Sequence, residues 1–203
     1  MPLRICFSVA VVLWLSCFVS AQTQSYELAA EEYRVLATAI DTFRNEGTAS
    51  HPLIADHTST FECGSSCNGM QRRGCNGLRA KNESPTERLV IVKRDLPALE
   101  KDTVSDFLLK NGRCSEITKK VPAASAYFLF GSSTTENPPA GWEHPDFFYF
   151  SRVAFNREQT QALLNISFMS GTDGADSRGR YFLFVKKHGK WEPVASSAVW
   201  PLE

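Results

Sequence analysis

The chain has 203 residues, with 22 basic and 22 acidic side chains and 43% hydrophobic content. That is enough apolar material for a globular core, and it excludes a disordered chain or a coiled coil. A formal charge of zero removes the global electrostatic argument for nucleic acid, which needs a distinctly basic domain or stripe.

Arg4 forms a short positive region, and Ile5 to Val19 is an apolar run broken only by Cys6, Ser8, Ser16 and Cys17. Val19-Ser20-Ala21 then puts small residues where a signal peptidase reads, so residues 1–21 are expected to be a signal peptide cleaved after Ala21. The run rises only about 22 Å against a hydrocarbon core of about 30 Å, which argues against an anchor. A lipoprotein signal acting through Cys17 is the minor alternative, weakened by Trp14 where a leucine-like residue is expected. The expectation is a secreted or periplasmic protein, with residues 22–203 forming a single α+β domain and no transmembrane segment after cleavage.

Tyr26, Ala29, Tyr33, Leu36, Ile40 and Phe43 recur at steps of three and four, which predicts an amphipathic helix over 26–46. Ser25 is positioned to cap it and Gly47 to end it. Leu53 to Asp56 reads as a short strand. Asp56-His57, with His51 nearby, is the one place where a carboxylate and imidazoles crowd together, so Asp56 and His57 are the candidate acid and base. If the strand runs on through His57, the two side chains point to opposite faces, which argues against a direct pair.

From 62 to 86 periodicity is lost and glycines collect with Cys63, Cys67 and Cys75. Together with Cys114 these make four cysteines in the mature chain, an even number in an oxidising compartment, so two disulfides are expected and three connectivities stay open. Every complete pairing ties Cys114 back to the 63–75 cluster, making 62–86 a stapled loop. Closing a loop of about 40 to 50 residues stabilises a fold by roughly 4 kcal/mol on the chain-entropy model. Zinc is the rival, but the spacing of Cys63, Cys67 and Cys75 is not a standard zinc-finger spacing. Arg72, Arg73, Arg79, Lys81, Arg88, Lys93 and Arg94 face only Glu83 and Glu87, the strongest local charge excess in the chain. Arg72, Arg73, Arg79 and Lys81 are its candidate anion-facing patch; the plainer reading is a solvated loop face.

Leu89 to Val92 is an apolar tetrad that suits a buried strand or a helix edge, and the pattern does not decide between them. Thr103 with Asp106 reads as a capping box for a helix over 103–111, stopped by Asn111-Gly112. Tyr127 to Phe130 predicts a strand, and the prolines and glycine of 134–145 a loop. Odd positions Phe147, Tyr149, Val153 and Phe155, then even positions Ala162, Leu164, Ile166 and Phe168, predict two strands with one buried face each. Tyr181 to Lys187 and Lys190 to Val194 predict a hairpin about His188-Gly189, with Pro193 marking an edge. The class is therefore α+β: an N-terminal helix on a mostly antiparallel sheet with a C-terminal meander of three or four strands. Phe155, Leu164, Ile166, Phe168, Leu183 and Trp191 are expected in one contiguous core, with Trp191 the most exposed.

The segment Phe150-Ser151-Arg152-Val153-Ala154-Phe155-Asn156, followed by Thr160-Gln161-Ala162-Leu163 and Lys187-His188-Gly189-Lys190-Trp191, resembles a group of exported, uncharacterised bacterial proteins. The likeness covers the C-terminal stretch well and the N-terminal helix loosely; it departs at 170–179 and at the cysteine-rich insert. It implies a compartment and no activity. The helix-then-meander order is also similar to cystatin-like and nuclear-transport-factor-like folds, which bind ligands or proteins in a cone or groove.

No Gly-x-Ser-x-Gly elbow, phosphate loop or dinucleotide fingerprint occurs. Asp173 to Asp176 lacks the ligand spacing of a calcium loop. The sequence therefore favours a non-catalytic binding or interaction module for an unknown protein or small ligand, without cofactor or metal. The alternative is a small envelope enzyme with a pocket between helix and sheet, using Asp56 or His57.

Overall fold

The structure, a computed structural model, describes residues 27–45, 52–61, 84–117, 121–123, 127–130, 146–170, 176–197 and 200–201. The signal segment, Tyr26, Ser25, Gly47, His51, most of the cysteine-rich stretch and the 134–145 loop lie outside them.

Among the described residues, three helices, α1 (Ala30–Asn45), α2 (Pro85–Asp95) and α3 (Lys101–Lys110), accompany an eight-stranded sheet. Its strands are β1 (Pro52–Ala55), β2 (Phe128–Phe130), β3 (Asp146–Phe150), β4 (Ala154–Phe155), β5 (Gln161–Ser170), β6 (Asp176–Lys187), β7 (Lys190–Ser196) and β8 (Trp200–Pro201). The main order is β2-β1-β3-β5-β6-β7, with β4 on β5 and β8 on β6. β1 runs parallel to both β2 and β3, and the remaining pairs are antiparallel. The class is α+β, as the elements predict.

The described elements form three layers. Even positions of β5, namely Ala162, Leu164 and Ile166, share a core with Tyr33, Leu36 and Ile40 of α1 and with Phe148, Phe150, Phe182 and Phe184. Phe43 extends it, with ring centroids 5.5 Å from Phe148 and 5.3 Å from Phe182. Successive strand residues face opposite ways, so Leu163 joins a second core with Ala154, Tyr181, Leu183, Phe61, Leu89 and Val92 of α2 and Phe107 of α3. β5 is thus covered on both faces over Gln161 to Ser167, and the expected one-faced strand is corrected: Leu183 belongs to the α2/α3 side, not to one core with Leu164 and Ile166. The backbone of Phe168 pairs with Phe148, and its side chain lies outside the described set.

The expected strand over 147–155 is two strands, broken at 151–153. The break shifts the alternation by one: Phe148 and Phe150 face α1 before it, Val153 and Phe155 after it. The expected odd-position face therefore holds only after the break, and before it the even positions Phe148 and Phe150 take its place. Trp191 is also corrected. It is 5% exposed, less than Phe155 at 9%, because its ring packs 5.6 Å from Phe155 and its indole N–H reaches the Glu31 carboxylate at 2.8 Å.

Leu89 to Val92 lies in α2. Ser84 caps that helix: its Oγ accepts from Glu87 N at 3.1 Å while the Glu87 carboxylate accepts from Ser84 N at 2.7 Å. Pro85 sits in the first turn, where its missing N–H costs nothing. Pro85 and Thr86, expected in the 62–86 loop, therefore belong to α2. At the β6–β7 turn His188 and Gly189 have φ of 49° and 79°, the left-handed pair that suits a two-residue hairpin. Pro193 lies on edge strand β7, whose register shifts opposite Leu183/Phe184.

Candidate functional site

Asp56 and His57 meet directly, with Nδ1 of His57 2.9 Å from Oδ1 of Asp56 and side chains only 9% and 12% exposed, respectively. The opposite-face expectation fails because β1 stops at Ala55 and Asp56 lies in a bend. The pair sits where two other segments converge. Ile117 N donates to Asp56 O at 2.7 Å, Thr58 N to Ser115 O at 2.8 Å, and Ser115 N to Thr58 Oγ1 at 2.9 Å. Glu116 bridges His57 on one side and Glu27 on the other, while Ser59 N donates to Phe150 O at 2.7 Å. An ionised Asp56 only accepts, so it places the hydrogen on Nδ1 and leaves Nε2 of a neutral His57 as the acceptor. That arrangement can orient a base.

Other polar side chains hold backbone. Buried Glu32 takes Arg152 on both carboxylate oxygens, at 3.2 and 2.8 Å, and Ala29 N at 2.9 Å. Asn111 accepts from Arg152 N at 2.7 Å and donates to the carbonyls of Arg152 and Phe107. Its amide thereby does the work of a strand neighbour. Asn156 Oδ1 accepts from Thr160 N and Gln161 N, closing the loop in which Gln159 adopts φ 53°. Gln161 Oε1 accepts from Glu100 N at 2.7 Å and Thr103 Oγ1 at 3.0 Å, and its Nε2 donates to Ala98 O at 3.0 Å.

The last set corrects the expected capping box of α3. Glu100 is the N-cap and makes no side-chain cap bond. Thr103 turns to Gln161, and Asp106 accepts from Phe155 N at 2.8 Å. The capping box lies instead at Ser84 and Glu87, a Ser-x-x-Glu pattern that the glycine-rich stretch before it obscures.

The Glu31 carboxylate accepts from Lys186 and Trp191 and pairs with Arg34 at 2.7 Å. Burial works to raise its pKa, but the hydrogen bonds from Lys186 and Trp191 and the charges of Lys186 and Arg34 outweigh it and hold the group below its ordinary value.

Cys114 is half-buried; Cys63, Cys67 and Cys75 lie outside the described residues, as do Arg72, Arg73, Arg79 and Lys81. Of the other basic residues in that charge excess, Arg88 is buried, Lys93 Nζ donates to the carbonyls of Pro97 and Leu99, and Arg94 pairs with Asp95 at 3.2 Å. Among the described residues no group of three or more His, Cys, Asp or Glu is arranged to hold a metal ion, and no helix is long and apolar enough to cross a membrane. No protein-family model, curated protein or solved structure matches the chain.

Proposed function

We propose that the chain is an exported binding or interaction module that performs no reaction of its own. The observation that carries this reading is the use to which the polar residues of the C-terminal segment are put. Arg152, Asn156 and Gln161 hold a carboxylate, a loop and a helix terminus, and Trp191 fixes Glu31. The segment behind the resemblance to exported bacterial proteins thus works as scaffold, and a scaffold signature accompanies many functions. Residues 1–21 act as the signal, cleaved after Ala21, and deliver the mature chain to the periplasm or the exterior; attachment through Cys17 is the lesser route. In that oxidising compartment Cys114 pairs with Cys63, Cys67 or Cys75, and the remaining two pair together. Arg72, Arg73, Arg79 and Lys81 then lie in or beside the stapled loop as an anion-facing patch for a protein or small ligand.

A second reading is favoured by the 2.9 Å contact of Asp56 with His57: an envelope enzyme in which Asp56 orients His57 as a base. One experiment separates the two. Mature protein and its His57→Gln variant are compared across a panel of esters, peptides and glycosides, with thermal unfolding as the control. The binding reading expects no turnover that the substitution removes. Turnover lost at an unchanged melting temperature overturns it in favour of the enzyme. N-terminal sequencing of the exported protein, expected to begin at Gln22, and mass spectrometry of a non-reduced digest test the compartment and the cystines.

A further inference from the structure

We draw no further inference here: the strongest candidate, the cluster of Ser59, Tyr149, Asn165 and Ser167 at the sheet, in which Ser59 Oγ and Asn165 Nδ2 are buried without a hydrogen-bond partner, carries nothing because both atoms are fully enclosed and nothing among the described residues shows an opening or an occupant that reaches them.

Discussion

Arg152 and Glu32 form a two-pronged ion pair inside the protein, Nε to Oε1 at 3.2 Å and Nη2 to Oε2 at 2.8 Å, with the Glu32 side chain wholly buried. Since Asn111 grips the Arg152 backbone, this contact joins α1 to the break between β3 and β4 and to the end of α3. Removing one partner of a buried pair strands the other charge in a poorly solvating interior, which typically costs about 3 to 5 kcal/mol. Arg152→Ala is therefore expected to lose about that much in urea denaturation. The double variant Arg152→Met with Glu32→Leu is expected to lose less than the sum of its two single changes. Strict additivity would mean that the pair is not a coupled unit.

The two cores make adjacent leucines equivalent. Leu163 and Leu164 are both fully buried, on opposite faces of β5. Leu163→Ala and Leu164→Ala are each expected to cost about 2 to 5 kcal/mol. A one-faced sheet would leave one of them near zero, so a denaturation midpoint for Leu163→Ala close to that of the parent protein would remove the α2/α3 layer from this account.

Gln161→Leu keeps the approximate volume of the side chain while deleting the acceptor for Glu100 N and Thr103 Oγ1. Buried groups left without a partner cost about 1 to 3 kcal/mol, and loss of a helix cap alone about 1 kcal/mol. Amide exchange at Glu100 is expected to accelerate alongside the global loss. Unchanged exchange there would place the cap elsewhere.

Glu31 supplies a pH test. Its pKa is depressed in the folded state from an ordinary 4.5, burial being outweighed by the Lys186 and Trp191 hydrogen bonds. A depressed carboxylate contributes stability that is present above its unfolded value and lost as pH falls through its folded value. The stability gap between the parent protein and Glu31→Gln is therefore expected to be constant near neutrality and to close on acidification below about 4.5. A gap that widens in acid would reverse the sign of the assignment.

What the sequence made legible follows from how local each signal is. The helix stripe of Tyr33, Leu36 and Ile40, the strand expected over Leu53 to Asp56 and the His188-Gly189 turn each depend on residues within one element; the turn appears where the pattern puts it, whereas the helix begins at Ala30 rather than 26 and the strand stops at Ala55. Long-range facts were hidden. The parallel pairing of β1 with β3 joins Leu53 to Phe147 across a large gap in the chain, and no local periodicity encodes it. The α2/α3 layer was concealed for a similar reason: Leu163 and Leu183 look like ordinary members of apolar runs until Phe107 and Val92 are seen to cover them. The Asp56–His57 contact depended on one bend, and the polar residues that organise the fold carry no pattern, because Glu32 and Arg152 are 120 positions apart.

Those separations bear on the order of assembly. Glu31 reaches Lys186 and Trp191 at sequence distances of 155 and 160, whereas the β5, β6 and β7 hairpins join segments next to each other in the chain. Loop-closure entropy opposes the distant contacts most and must be overcome before they contribute. Although α1 is the first of these elements to be synthesised, it has to wait for the last hairpin before its anchors exist. Pulse-labelled amide exchange during refolding is expected to protect β5 to β7 ahead of α1, and simultaneous protection of the two would instead make the first helix part of the folding nucleus.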